Sequence, residues 1–469
     1  MPFAFYDLET TGRSAAFDHP LQFAAIYTDD DFNVLETVNL RCRLSPHVLP
    51  SPGALAVTGV SLDQITDPTL PSWFEMMGEI REIIERWSPS TWTGFNSLRF
   101  DDPMMRQSFF QTLQPQVYAM QLYGNSRLDV MAMMYAVYVF QTDCFEWPLN
   151  GLGKLSFKLE DLAAANGFND HVAHDALGDV RATIHLLDQV RSQAPDVYRQ
   201  FLRNRDKQHV IELLRSGQSL QIVERFGGPP RSVIGVGCGF DASYPGRGIF
   251  LDVTRVDPRE LETASVADLV GLIGQSPKVV KPVKTNATPA LFALSDADPM
   301  IADRAAYVGP NSDLQERMGR AMAQHYSETY PPPGDDEEIR VEDRIYHGFY
   351  SLADKERLTL FQSCETWEER VALMGGFEDD RLQQLAMRLV FLERPDLLSE
   401  CVGAAASANL LARWTADEVP ENGWSTFSSV ETELQKIEAS GEIDAQQAAD
   451  LREFYAERRR TVEAIAGAH

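Results

Sequence analysis

The sequence predicts an α/β protein in three parts: a mixed-sheet α/β domain, a small β domain and an all-helical remainder. Up to about residue 195, β-type runs alternate with segments whose apolar residues recur at the helical period. From about 200 to 340, short β-type runs alternate with glycine and proline turns, with some helix between them. From about 343 onward the chain is helix-forming, with no strand signal of note. At 469 residues it is too long for one ordinary core.

In the first part, Phe3–Tyr6, Leu21–Tyr27 and Val34–Leu44 read as strands, with Asp29-Asp30-Asp31 as the turn before the third. Ser72 to Trp87 is the clearest helix. Trp73, Met76, Met77, Ile80, Ile83, Ile84 and Trp87 share one face, and Ser72 with Glu75 gives a capping-box start. Thr91–Gly94 is a short strand leading to a loop. Asp101-Asp102-Pro103 opens another helix with proline at a tolerated position. Val130 to Phe140 reads as a buried helix, Phe157–Asn166 as a short one stopped by Asn166-Gly167, and Val180–Gln193 as a longer one. In the second part the β-type runs are Leu220–Val223, Val233–Val236, Ile249–Val253, Val279–Val283 and Leu291–Leu294. Pro331-Pro332-Pro333-Gly334, followed by Asp335-Asp336-Glu337-Glu338, reads as a linker. No internal repeat is seen.

The hydrophobic content of 44% and charged content of 24% are those of a soluble globular protein. The five cysteines are scattered without a C-x-x-C, so neither a disulfide framework nor a zinc site is expected, and a reducing cytoplasm is the expected home. Met1-Pro2-Phe3 leads straight into a strand, which argues against a secretory signal. The longest apolar run is well short of the ~20 residues of a membrane span. Lys+Arg 42 against Asp+Glu 69 gives a net charge of −27, which repels a polyanion at long range. Binding to nucleic acid then depends on local clusters: Arg203, Arg205 and Lys207; Lys278, Lys281 and Lys284; and Arg225 and Arg231 around a Gly-Gly-Pro-Pro turn. Each is also an ordinary solvated face.

Four carboxylates and one histidine carry the chemistry: Asp7, Glu9, Asp101, His174 and Asp179. Asp7 and Glu9 lie two apart in an apolar, aromatic strand, so both point to one face and converge. Like charges that close need a cation between them. Hard oxygen donors without a cysteine or histidine pair indicate Mg²⁺ or Mn²⁺ rather than zinc. Such a cluster serves phosphodiester hydrolysis with two cations roughly 4 Å apart. Thr10-Thr11-Gly12 offers hydroxyls and close backbone approach to a phosphate or sugar. Asp101 or Asp102 also suits capping of the helix at Pro103, and one of the two is expected to do so. Asn96 and Arg106 sit nearby as contacts for substrate phosphates. His174 and Asp179 are about 140° apart on a helix. They serve one site if His174 lies on the preceding loop and Asp179 in the first or second helical turn. A histidine suits the general base at neutral pH. Gly235-x-Gly237-x-Gly239 is not a dinucleotide site, because the glycines read as ending a strand among turns.

Asp-x-Glu in a first strand, Asn-x-x-x-Phe-Asp in the middle and His-x-x-x-x-Asp on a late helix resemble the histidine-containing subgroup of the DEDD superfamily of 3′→5′ exonucleases. Within it the chain resembles the bacterial exodeoxyribonucleases that carry two further domains. The supporting stretches are Leu21–Ile26, Pro52–Gly59, Gly94–Asp102, Asn125-Ser126-Arg127, Ser156–Glu160, Ala173–Ala176, Lys284-Thr285-Asn286 with Pro289, and Tyr346–Tyr350. The resemblance implies a ribonuclease H-like exonuclease domain at 1–195, an SH3-like β domain at 196–342 and a helical C-terminal domain at 343–469, the last two closing a clamp around single-stranded DNA. It makes Asp7, Glu9 and Asp179 metal ligands, His174 the general base and Asp101 the completion of the acidic set. Asn125 and Ser126 join Glu9, Thr10, Asn96, Arg106 and Lys158 in the implied substrate-binding set. Arginine often stands where this chain has Lys158, and lysine forgoes the bidentate phosphate contact.

The implied activity is release of nucleoside 5′-monophosphates from the 3′ end of single-stranded DNA, with two Mg²⁺ ions or Mn²⁺ in their place, in DNA repair and recombination. A monomer with no membrane association is expected, partnered by the single-stranded-DNA-binding protein through that protein's acidic tail. The alternatives are the same chemistry on RNA and a non-catalytic recruitment scaffold. The roughly 270 residues beyond the first domain argue against the former. The intact acidic set argues against the latter.

Overall fold

The computed structural model describes residues 1–58, 60–168, 175–331, 339–421 and 423–466. The first part is built on strands β1 (Phe3–Thr10), β2 (Pro20–Thr28), β3 (Val34–Arg41), β4 (Thr91–Gly94) and β5 (Ser126–Asp129), in the order β3-β2-β1-β4-β5. β1 and β3 run antiparallel to β2, whereas β1, β4 and β5 are mutually parallel, so the sheet is mixed as expected. Its helices are α1 (Pro52–Thr58), α2 (Leu62–Thr66), α3 (Trp73–Trp87), α4 (Asp101–Gln111), α5 (Val130–Phe140), α6 (Leu159–Ala165), α7 (Ala176–Gln193) and α8 (Pro195–Asn204), while α9 (Lys207–Arg215) packs on the sheet of the second part.

The two-residue period of β1 sorts its side chains. Ala4, Tyr6 and Leu8 pack with the buried stripe of α3 and with Met104, Met105 and Phe109 of α4. Phe3 and Phe5 pack on the other face with α5 and α7. Ser72 and Glu75 form the expected capping box: the Glu75 N–H donates to Ser72 Oγ at 3.2 Å and the Ser72 N–H to Glu75 Oε2 at 2.6 Å.

The second part is a five-stranded antiparallel sheet of β6 (Leu220–Glu224), β7 (Arg231–Phe240), β8 (Arg247–Leu251), β9 (Val280–Lys284) and β10 (Leu291–Ala293), in the order β10-β6-β7-β8-β9. Helices α10 (Val266–Gly274), α11 (Pro299–Val308) and α12 (Ser312–Thr329) cover β7 and β8. The three glycines do not sit among turns as expected; they lie within β7. A Cβ on Gly235 would stand 2.1 Å from the Leu251 carbonyl oxygen, and one on Gly237 1.8 Å from that of Leu214. Backbone crowding on both sides selects glycine there.

The third part is helical: α13 (Leu352–Ser363), α14 (Trp367–Met374), α15 (Asp380–Glu393), α16 (Glu400–Trp414), α17 (Phe427–Ser440) and α18 (Ala445–Ala466). It packs on the first part in two places. α13 and α15 bury Phe74, Phe110 and Leu113, while α16–α18 bury Leu21, Leu49 and Leu55. Among the described residues, no helix is long and apolar enough to cross a membrane.

Candidate active site

The line of Phe3 and Phe5 along β1 continues with Asp7 and Glu9, so both carboxylates emerge on the side covered by α7. α7 begins at Ala176, earlier than the expected Val180, which puts Asp179 in its first turn. Asp7, Glu9 and Asp179 each bring a carboxylate oxygen within 4.8 Å of the other two. Glu9 is 6% exposed, and Asp7 and Asp179 are half-buried.

Burial, then the neighbouring charges of Asp101, Asp179 and Glu9, hold the Asp7 carboxyl well above the usual range. Burial, then Asp179 and Asp101, push Glu9 up to about 8. Asp179 rises to about 7, first by burial and then by Glu160 and Asp175. Buried carboxylates that repel one another fit a hard divalent cation, which accepts oxygen donors and cancels their charge.

Asp101 opens α4, 4% exposed. Burial pushes it up to about 8, and backbone N–H groups, including that of Leu8 on β1, offset part of the rise. The loop that delivers it is pinned from below by Asp129. This buried carboxylate accepts from the Asn96 N–H at 3.0 Å, the Leu98 N–H at 3.3 Å and the Met131 N–H at 3.0 Å, the last capping α5. The expected helix cap is not made: the N-cap is Phe100, and both aspartates lie inside the first turn. Asp102, 1% exposed, instead pairs with Arg127 Nη1 at 2.6 Å and Arg106 Nη2 at 2.7 Å. Arg127 Nη2 continues to the Asn286 carbonyl in the second part at 2.8 Å, and Arg106 Nη1 to the Tyr346 hydroxyl at 3.2 Å. A single buried carboxylate thus joins α4 to both later parts. Sequence reasoning gave Asp102 and Asp129 no part in the site, because a buried ion pair and a loop pin between distant residues leave no local spacing.

The expected substrate-binding residues fall into two groups. Lys158, at the N-cap of α6, is 71% exposed with Nζ 3.2 Å from Glu160, and Ser126 lines a wide cleft. Asn125 borders the same cleft, but its amide, like Thr10, Arg106 and Asn96, is committed internally. Asn125 accepts from the Ser90 N–H at 2.8 Å and donates to Ser88 Oγ and the Ala119 carbonyl, so its amide clasps the turns that lead into β4 and β5. The Thr10 hydroxyl donates to the Gly12 carbonyl at 2.7 Å, Arg106 is held by Asp102, and Asn96 serves through its N–H with φ at 63°. His174 lies outside the described residues.

The cleft has a volume of about 860 Å³ and is lined from all three parts. Arg205, Lys207 and Lys355 supply positive charge, beside Asp206 and the Asp102-paired Arg127; Tyr118, Tyr244, Tyr346 and Phe349 supply rings, Phe349 being 96% exposed. Of the basic clusters seen in sequence, Arg205 and Lys207 face this cleft, whereas Lys281 is tied to Glu224 at 2.9 Å.

Fold and carboxylate set define a nuclease domain, and the family model described as Exonuclease matches residues 4–187. Over most of its length the chain is similar to exodeoxyribonuclease I. It is 28% identical to the Haemophilus influenzae protein of that name over 423 residues, which cover 82% of this chain and 84% of the relative. Two solved structures superpose along nearly the whole chain. The moderately thermophilic exonuclease I of Methylocaldum szegediense has a TM-score of 0.80 at 27% identity, covering 98% of this chain and 99% of that one. Exonuclease I of Escherichia coli in complex with a dT13 oligonucleotide has a TM-score of 0.78 at 25% identity, covering 99% of both.

Proposed function

We propose that this protein is a Mg²⁺-dependent 3′→5′ exodeoxyribonuclease that hydrolyses single-stranded DNA to nucleoside 5′-monophosphates. The observation that carries this reading is the convergence of Asp7, Glu9 and Asp179, whose oxygens lie within 4.8 Å of one another. Those three residues would hold two divalent cations, and Asp101 would complete the acidic set. Cations held there would supply Lewis-acid polarisation of the scissile phosphodiester and charge stabilisation of the leaving oxygen. His174 takes the proton from the attacking water. Lys158 faces the DNA backbone as an exposed point charge. The cleft supports a single-stranded substrate, since its lysines and arginines track phosphates while its rings stack on unpaired bases. The similarity to exodeoxyribonuclease I extends through the parts that build this cleft, which favours DNA over RNA.

The deciding experiment incubates the protein with matched 5′-labelled DNA and RNA oligonucleotides and Mg²⁺. A ladder shortening from the 3′ end of the DNA, with the RNA spared, is expected. Internal cuts, or faster loss of the RNA, would overturn the reading.

The partner we propose is the single-stranded-DNA-binding protein of the same cell, a reducing cytoplasm being consistent with five unpaired cysteines. A groove of about 510 Å³ beside α8 sets Arg203 next to Phe140 and Phe292, with Arg199 beside it paired to Asp196 at 2.5 Å, chemistry that suits an acidic tail carrying an apolar residue. A labelled acidic tail peptide should bind, and Arg203→Glu should remove that binding. Equal binding to the variant would place the partner elsewhere.

A further inference from the structure

A second cavity, of about 230 Å³, lies between α15 and α16 and shares no lining residue with the DNA cleft. Met387 and Phe391 from α15 and Val402 and Leu410 from α16 give it apolar walls. At its floor Glu342, 3% exposed, meets two guanidinium groups. Arg388 Nη1 lies 3.0 Å from Glu342 Oε1, and both terminal nitrogens of Arg413 lie 3.0 Å from the same oxygen. Arg388 Nη2 donates to Gln111 Oε1 at 2.8 Å, while its Nε–H is buried without a partner.

The charges on this floor do not balance. One carboxylate faces two cations, and the other polar lining residues, Gln384, Asn409 and His47, bring no negative charge. The His47 imidazole stays neutral because burial, and then the positive charge of Arg388, hold its pKa well below the usual value. Arg413 rests on the faces of Phe17 and Trp424, at 5.4 and 5.1 Å, which accommodates part of its charge. The remaining excess is only partly solvated, the Arg413 and Arg388 side chains being 26% and 16% exposed, and the buried Arg388 N–H beneath it has no partner. An anion entering between the helices offsets the excess charge.

We propose that this cavity binds a small amphipathic anion, its acid group on the Arg388 and Arg413 guanidinium groups and its apolar body between α15 and α16. The volume, about 230 Å³, lies just below the ~300–1,000 Å³ of pockets for drug-sized molecules, and the cavity is open to solvent, so it seats the acid group and part of the apolar body while the rest of the ligand lies at its mouth. Charge complementarity selects the acid over a neutral apolar molecule of the same shape.

Two dyes with nearly the same ring system test this. The full-length protein should bind 8-anilinonaphthalene-1-sulfonate at one saturable site. N-phenyl-1-naphthylamine, which lacks the acid group, should bind roughly ten- to a hundredfold more weakly, the ratio expected when charge-assisted hydrogen bonds are lost. Ala406→Phe, which fills the cavity from α16, should weaken the sulfonate by about tenfold or more while DNA hydrolysis stays unchanged. Arg388→Met keeps the apolar stem and should bring the sulfonate down to the affinity of the neutral dye. Should that variant fail to fold, the dye pair and Ala406→Phe still decide. Equal affinity for both dyes, or full binding by Ala406→Phe, would overturn the proposal. So would displacement of the sulfonate by a saturating oligonucleotide, which would place the dye in the DNA cleft.

Discussion

Phe3, Phe5, Asp7 and Glu9 follow one another along one face of β1, and the site begins where that line turns from rings to carboxylates. Because these acids lie where apolar residues would pack, their value is in binding a cation rather than in holding the core. Asp7→Ala, Glu9→Ala and Asp179→Ala should each abolish hydrolysis while a cooperative melt is kept; near-normal turnover by any one of them would remove it from the ligand set. His174→Ala should slow turnover by about 10²–10⁴-fold with DNA binding kept, the usual effect of losing a positioned base. An unchanged rate would assign the base elsewhere. The raised acids also predict a pH dependence. An acid whose folded pKa exceeds its unfolded one holds more protons when folded, so stability falls as pH rises between the two values. For Glu9 that window runs from 4.5 to about 8 and for Asp179 from 3.8 to about 7. Chelator-treated protein should therefore melt at a lower temperature near about pH 8 than near about pH 5. Mg²⁺ should raise the melting temperature more at the higher pH, and Asp7→Asn should flatten the dependence. Identical melts at both pH values in the chelated wild type would contradict the mutual repulsion.

At the scale of elements, α4 and β5 decide where Asp101 stands. Asp102, one residue on, holds Arg127 of β5 and Arg106 of its own helix in a buried pair. Asp102→Asn leaves Arg127, 9% exposed, without its counter-charge, and breaking such a pair costs about 3–5 kcal/mol. Denaturant unfolding should show that loss, and turnover should fall with it because Asp101 rides on the same turn. A stability change below about 1 kcal/mol would mean that the two arginines find other partners. The same elements mark the limit of what the sequence shows. The stripe and capping box of α3 are legible because both arise from residues three and four apart, and Asp7-x-Glu9 is legible from the strand period. β5 is not, since Ser126–Asp129 is short and half charged and becomes a strand only by pairing with β4. Asn125 borders the cleft, as a substrate contact would, but nothing in its local spacing shows the three groups that its amide clasps. The β7 glycines mislead for the same reason, as the carbonyls of Leu214 and Leu251 that crowd them come from distant segments.

For the whole molecule, the question is how a chain of net charge −27 holds a polyanion. The three parts cannot be separated to answer it. A chain ending near residue 195 would expose Phe74, Phe110 and Leu113, which α13 and α15 cover, and Leu21, Leu49 and Leu55, which α16–α18 cover. Single substitutions in the intact cleft are the cleaner route, because Lys207, Lys355 and Phe349 are surface residues that line it and belong to none of the cores. Binding of long single strands should weaken with salt, with a log–log slope of about −0.7 per phosphate neutralised. Lys207→Gln and Lys355→Gln should each make that slope shallower by about 0.7. Phe349→Ala should leave the slope alone and weaken binding by about 1–3 kcal/mol, the contribution of one stacked base. All three should retain cleavage of short oligonucleotides, because none touches the carboxylates, and should lose processivity on long ones. The acidic excess would then lie away from the cleft, where screening within about a Debye length, ~8 Å at physiological salt, hides it from the bound strand. If the slope, the affinity and the processivity all survive these substitutions, the cleft does not carry the strand. The second and third parts would then serve as a platform for a protein partner.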